Sequence, residues 1–223
     1  MVITYLGKQF FKLQLGDTTL AVNPISKESK HKTSRFGADI ALVTVNHPDY
    51  NGVENLSFGD REPFVANGPG EYEIKEIFIK GFPSESMVGL PAAAGRSAAQ
   101  AGGEKRQNTI YTLAIDKMNV CFLGALSSKE LKTETREGID GVDILFVPIG
   151  GKGTLGPADA YQVAVSFEPK LIIPMDYEEG SEELKKFLKE GGSPKTDPVD
   201  KLTVKQKDLE GREGEIVLLI PSL

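Results

Sequence analysis

The strongest constraint on the fold is a plan that runs twice along the chain, strands first and helix after. Val2-Ile3-Thr4-Tyr5-Leu6 is a β-branched and aromatic run that stops at Gly7. Phe10 to Leu15 and Thr18 to Val22 flank Gly16-Asp17, a strong hairpin signal. Asp39 to Thr44 is an apolar run suited to a buried strand. Pro63 to Ala66 and Tyr72 to Gly81 are two further strands around the turn Asn67-Gly68-Pro69-Gly70.

The second half restarts with a hairpin, Thr109 to Ile115 and Asn119 to Leu123, followed by a helix over Ser128 to Glu137 capped by Ser127 or Ser128. Val142 to Val147 and Leu171 to Ile173 read as buried strands separated by a helix from Ala158 to Phe167. Ser181 to Lys189 is a capped helix stopped by Gly191-Gly192, and Glu215 to Ile220 closes the chain as a strand. Two such halves predict two packed sheets with helices outside them, an α/β fold of the four-layer α/β/β/α sandwich kind. The expected organisation is one domain over 1–223, with a flexible loop at about 84–108, where Ala, Gly and Ser dominate between Pro83 and Asn108.

Composition limits the chemistry more than the fold. The hydrophobic fraction of 39% and charged fraction of 26% are those of a globular protein, and no apolar run nears the ~20 residues of a membrane span. The start has no basic, cleavable leader pattern, and one cysteine allows no internal disulfide, so a cytoplasmic location without membrane attachment is expected. A net charge of -6 makes nucleic acid an unfavourable partner. With two histidines and one cysteine, the chain cannot build a His-rich zinc site, and any cation would rest mostly on carboxylates.

Several strings, in order along nearly the whole chain, resemble one branch of the metallo-β-lactamase superfamily, the stand-alone hydrolase-like proteins related to ascorbate-phosphate lactonases. They include Ile3-Thr4-Tyr5-Leu6-Gly7, Ala41-Leu42-Val43-Thr44, Gly68-Pro69-Gly70-Glu71-Tyr72-Glu73, Phe146-Val147-Pro148-Ile149-Gly150-Gly151 and Pro169 to Met175. The resemblance implies that family's sandwich and places its H-x-H-x-D-H metal motif at Val45-Asn46-His47-Pro48-Asp49-Tyr50. His47 and Asp49 match; Val45 and Tyr50 replace the first and last histidines. By the same resemblance the third histidine falls at Ser86, the bridging aspartate at Ala125 and the last histidine at Asp176, while the family's early Gly-His pair is Gly7-Lys8. Two zinc ions activating a bridging water need three or four protein donors each, and the matching residues leave each ion about one.

These positions define the remnant cleft: Val45, His47, Asp49, Tyr50, Ser86, Ala125, Lys152 and Asp176. No catalytic residue is assigned in it, and no cofactor is expected. His47 reads as a polar relic, or else as a surviving ligand or base. Asp49 and Asp176 either cap backbone or, with His47, hold one hard divalent cation. Lys8 or Lys152 is expected to neutralise Asp49 or Asp176 in place of a lost cation. Tyr50 either packs or donates its hydroxyl, His31 is expected on solvated surface, and Cys121 is expected to be a buried, inert thiol. Gly150-Gly151-Lys152-Gly153 lacks the spacing of a nucleotide-binding loop, though its amides suit an anion. The expected function is a silent pseudo-hydrolase that binds a small molecule or a protein, with a homo-oligomer as the assembly the resemblance implies. The alternative is a metal-dependent hydrolase of a small ester, lactone or phosphorylated compound using one non-zinc ion.

Overall fold

The computed structural model describes residues 1–90 and 105–222. Its strands form two mixed sheets. The first contains β1 (Val2–Tyr5), β2 (Phe11–Leu15), β3 (Thr18–Val22), β4 (Ile40–Leu42), β5 (Phe64–Ala66) and, from the far end of the chain, β12 (Lys201–Thr203), in the order β12-β1-β2-β3-β4-β5. The second contains β6 (Gly70–Ile74), β7 (Ile77–Ser86), β8 (Arg106–Ile115), β9 (Met118–Phe122), β10 (Ile144–Pro148), β11 (Leu171–Met175) and β13 (Glu215–Ile216), in the order β13-β11-β10-β9-β8-β7-β6.

Side-chain alternation explains why the sheets stack. On β10, Ile144 and Phe146 point into the space between the sheets, while Leu145 and Val147 point the other way, under the helices. Both faces are buried, so the strand reads as an unbroken apolar run. Phe11 of the first sheet meets Phe146 of the second edge-on at 4.8 Å between ring centroids, and Phe146 stacks on Phe122 at 4.0 Å. Helices α2 (Pro157–Val165) and α3 (Glu182–Glu190) close the second sheet, burying Val163, Ala164, Leu184 and Phe187 against Ile172. Ser181 caps α3 by accepting the Leu184 N–H. The first sheet's outer face is closed by irregular chain: Ile25, Ala38 and Leu56 pack on Phe10, Ala21 and Ala41. This is the α/β sandwich of the metallo-β-lactamase type, with its described α-helices on the second sheet and irregular chain where a helical layer was expected on the first.

Several boundaries differ from expectation. Tyr72 to Gly81 is a hairpin, β6 and β7, turned at Lys75 and Glu76 with φ of 51° and 63°; neither residue announces a left-handed turn. The flexible stretch expected at about 84–108 is partly sheet. Ser84, Glu85 and Ser86 pair with Asn108, Gln107 and Arg106, because β7 and β8 continue past their apolar cores as a two-stranded ribbon. Residues 91–104 lie outside the described residues. The helix expected over Ser128 to Glu137 is only α1 (Thr133–Gly138). Neither serine caps it: the Ser127 amide and hydroxyl both donate to the Glu85 carbonyl, and Ser128 Oγ accepts the Glu130 N–H in a local turn. At the C-terminus only Glu215–Ile216 extends the sheet; beyond it Leu219 bridges Val199 instead.

Candidate functional site

Parallel pairing brings the C-terminal ends of several strands to one side of the molecule. β3, β4 and β5 run parallel in the first sheet; β9, β10, β11 and β13 do so in the second. The turns that follow β4, β9, β10 and β11 carry Val45–Tyr50, Gly124-Ala125, Gly150–Gly153 and Asp176. Such strand ends are where layered α/β proteins place their sites.

One part of this region is dry. Val45, Tyr50, Val88 and Ala125 form a buried apolar cluster of their own. Ala125 is held there by backbone: its N–H donates 2.8 Å to Asn108 Oδ1, while Asn108 Nδ2 donates to Ser84 Oγ at 2.7 Å and to the Leu123 carbonyl at 3.0 Å. Gly124, at φ 61°, lies so close to Asn108 Oδ1 and Thr44 that a Cβ there would sit 2.6–2.8 Å from them. Ser86 is fully buried, and its Oγ accepts the Val88 N–H at 3.2 Å, closing the turn after β7. Burial, reinforced by Asp176 and Asp49, pushes the Tyr50 phenol well above its ordinary range, so it stays protonated and neutral.

The adjacent part is polar. Lys8 Nζ donates to Asp176 Oδ1 at 2.7 Å, with side-chain exposures of 25% and 7%, and Thr154 Oγ1 donates to Oδ2 at 3.4 Å. The backbone repeats the link, since the Asp176 N–H donates to the Lys8 carbonyl at 2.6 Å. Both residues are non-glycine and left-handed, at φ 55° and 64°, a conformation that costs on the order of 1–2 kcal/mol per residue and that the paired contacts hold in place. Gly150 leaves no room for a Cβ, which would stand 2.6 Å from the Asp176 carbonyl. Of the two lysines expected to reach a carboxylate, Lys8 makes the contact. Lys152 is exposed on the glycine turn.

Between the two parts stand His47 and Asp49. His47 Nδ1 accepts the Asp49 N–H at 3.2 Å, and the ring packs under Gly89. Burial lowers the His47 pKa, with Arg106 and Lys8 adding to the effect and Asp49 opposing it. Asp49 accepts Ser29 Oγ at 2.5 Å through Oδ1 and has both imidazoles of the chain 3.8 Å from Oδ2. His31, expected on solvated surface, is half exposed but turns Nε2 toward Asp49. That contact joins two loops distant in sequence, so no spacing rule could reveal it. Ser29, Val88, Asn108 and Thr154 also escaped the sequence reading, because each acts through tertiary contact and belongs to no motif. Cys121 is fully buried, and burial pushes its thiol pKa far up.

A zinc pair does not fit this donor set. Among the described residues no three His, Cys, Asp or Glu side chains stand together in a metal-holding group. Among the described residues the one buried carboxylate near the cleft, Asp176, is already matched by an ammonium. No helix among these residues is long and apolar enough to cross a membrane.

Two mixed sheets stacked face to face, with the post-β4 turn and the strand ends of the second sheet gathered at one side, define a metallo-β-lactamase-fold protein. The family profile described as the beta-lactamase superfamily domain matches residues 2–176, and the chain belongs to that family. A UPF0173 metal-dependent hydrolase of Listeria monocytogenes is 24% identical over 198 residues, covering 79% of this chain and 85% of its own. A UPF0173 protein of Pyrococcus furiosus is 26% identical, covering 96% of this chain and 99% of its own. Among solved structures, a candidate zinc-dependent hydrolase of the metallo-β-lactamase superfamily from Thermotoga maritima superposes with a TM-score of 0.72 at 24% identity, covering 98% of this chain and 97% of that one. A metallo-hydrolase from Ignicoccus hospitalis superposes with a TM-score of 0.63 at 15% identity, covering 100% and 96%.

Proposed function

We propose that this metallo-β-lactamase-fold protein has given up two-zinc hydrolysis and uses the remnant cleft to bind a ligand. One observation carries the reading: Val45, Tyr50 and Ala125, which stand where the resembled motif has metal donors, pack with Val88 into one buried apolar cluster. A valine and an alanine offer no donor atom, and a phenol held neutral by burial is a poor one. Filling the space with carbon also removes the dry polar pocket in which a bridging water would be activated. The site residues of this reading are Val45, His47, Asp49, Tyr50, Ser86, Ala125, Lys152 and Asp176, as a binding cleft and its wall.

The names of the relatives favour a second reading, a metal-dependent hydrolase of a small ester, lactone or phosphorylated compound. It would hold one hard cation on His47, Asp49 and Asp176. Against it stands the Lys8 ammonium at 2.7 Å from Asp176, a fixed positive charge in the place a cation would need.

Metal analysis separates the two. Protein purified without chelator and then dialysed against zinc, magnesium or manganese is expected to retain far less than one ion per chain, with a melting temperature unmoved by each ion. A stoichiometric ion lost on substituting His47 or Asp49 overturns the silent reading.

A further inference from the structure

Beside the Lys8–Asp176 pair opens a cleft of about 380 Å³. Its charged groups fall into two kinds. Lys8 is neutralised by Asp176, and His31 leans on Asp49, so these are accounted for within the protein. Lys32, Lys152, Glu178, Glu179 and Glu183 are not: among the described residues none of the five forms an ion pair. Opposite charges therefore line one small cleft without pairing with each other.

The charges come from separate parts of the chain: Glu178, Glu179 and Glu183 from the β11–α3 connection and the first turn of α3, Lys152 from the turn after β10, and Lys32 from the loop between β3 and β4. Lys152 rides on a turn with left-handed Gly151 and Gly153, at φ 69° and 84°; a Cβ on Gly153 would meet the Met87 and Val88 backbone at 2.7–2.8 Å. Glu183 lies in the first turn of α3, fixed by the Ser181 cap, and the Ser181 N–H donates to the Glu178 carbonyl at 3.1 Å. The lining also includes apolar Leu6, Ile25 and Pro221. Unpaired charges of both signs from separate parts of the chain, with apolar side chains in the same lining, are complementary to a molecule with charged ends and an aliphatic middle.

We propose that the cleft binds a zwitterionic small molecule, an aliphatic chain with an ammonium group at one end and a carboxylate or phosphate at the other. Its anionic end faces Lys32 and Lys152, and its ammonium faces Glu178, Glu179 and Glu183. The proposal rests on the cleft being a ligand site, as above, but not on the absence of metal chemistry.

The test is a titration of the whole protein followed by amide NMR shifts at Gly7, Gly150 and Ser181. The probes are glycine, 4-aminobutanoate, 6-aminohexanoate and O-phosphoethanolamine, beside the singly charged hexanoate and hexylamine. At least one zwitterion is expected to saturate these shifts with a dissociation constant about threefold to fivefold below both singly charged probes, the gain that one more exposed ion pair supplies. The best binder identifies the anion as carboxylate or phosphate. Lys152→Ala is expected to weaken the zwitterion about threefold and leave hexylamine unchanged, and Glu179→Gln to weaken it while sparing hexanoate. Equal binding of hexanoate or hexylamine, shifts scattered away from the cleft, or no saturation by any zwitterion overturns the proposal. A bound metal ion together with zwitterion selectivity would remove the silent reading and leave this one. No metal and no selectivity would do the reverse.

Discussion

The apolar cluster and the Lys8–Asp176 pair occupy neighbouring strand ends, yet charge is managed differently in each. Val45, Tyr50 and Ala125 pack with Val88 into a buried apolar cluster with no ionised group, so no charge needs balancing there. At Asp176 an acceptor persists, and a lysine ammonium at 2.7 Å balances it. Burying apolar groups is self-sufficient, whereas a buried carboxylate is tolerable only with its partner. The first region should therefore resist any returning charge, and the second should fail when one charge leaves.

The largest effect is expected from Ala125→Asp, which puts a carboxylate among Val45, Tyr50 and Val88. Urea unfolding should show a loss of about 3–5 kcal/mol, the range for an uncompensated buried charge. Adding zinc should restore none of it. Recovery with zinc would mean that enough donors survive nearby to complete a site, and the contrast between the two regions would collapse. Next in size is Lys8→Met, which keeps the side-chain stem but strands Asp176. A loss of about 2–3 kcal/mol is expected, the lower part of the range for a broken pair because the cleft admits water on one side. Adding Asp176→Asn to that variant should recover most of the loss. If it does not, the pair is not what stabilises this corner.

The sandwich was legible in the sequence because its strands carry two faces of information. The run Val142 to Val147 reads as a buried strand, which the structure places at Ile144–Pro148, and β2 and β3 follow from the turn between them. The Lys75-Glu76 turn was not legible, since its left-handed backbone is imposed by the hairpin and not by glycine or asparagine. Nor was the shortened α1, whose serines look like caps but bond elsewhere. At the site, the chemistry missing from Val45 and Ala125 could be read from residue type. What surrounds them could not: Val88, Asn108 and the His31–Asp49 approach depend on loops that meet only in three dimensions.

A smaller effect probes the boundary between the regions at Gly89. Its φ is 69°, and an added Cβ would stand 2.9 Å from the His47 ring. Gly89→Ala should cost on the order of 1–2 kcal/mol from the left-handed backbone and displace the imidazole, visible as shifted His47 ring resonances. An unchanged ring would mean that Gly89 serves the turn alone.

The smallest effect concerns pH and also turns on His47. Burial, with Arg106 and Lys8, lowers its folded-state pKa below the value near 6.5 of an unfolded histidine. Between those two values the unfolded chain binds the proton and the folded one does not, so folding stability rises with pH across the window. The contribution is complete above about pH 6.5 and is lost as pH falls toward the folded pKa. His47→Asn removes the titrating group, so stability between pH 7 and 5 should decline less steeply in the variant than in the parent. The comparison is best made beside His31→Asn, because His31 faces the same Asp49 from exposed surface. If the two variants flatten the profile equally, the imidazoles share one environment and His47 does not mark the edge of the dry region. A steeper decline in His47→Asn than in the parent would reverse the sign and place His47 among the groups that gain a proton on folding.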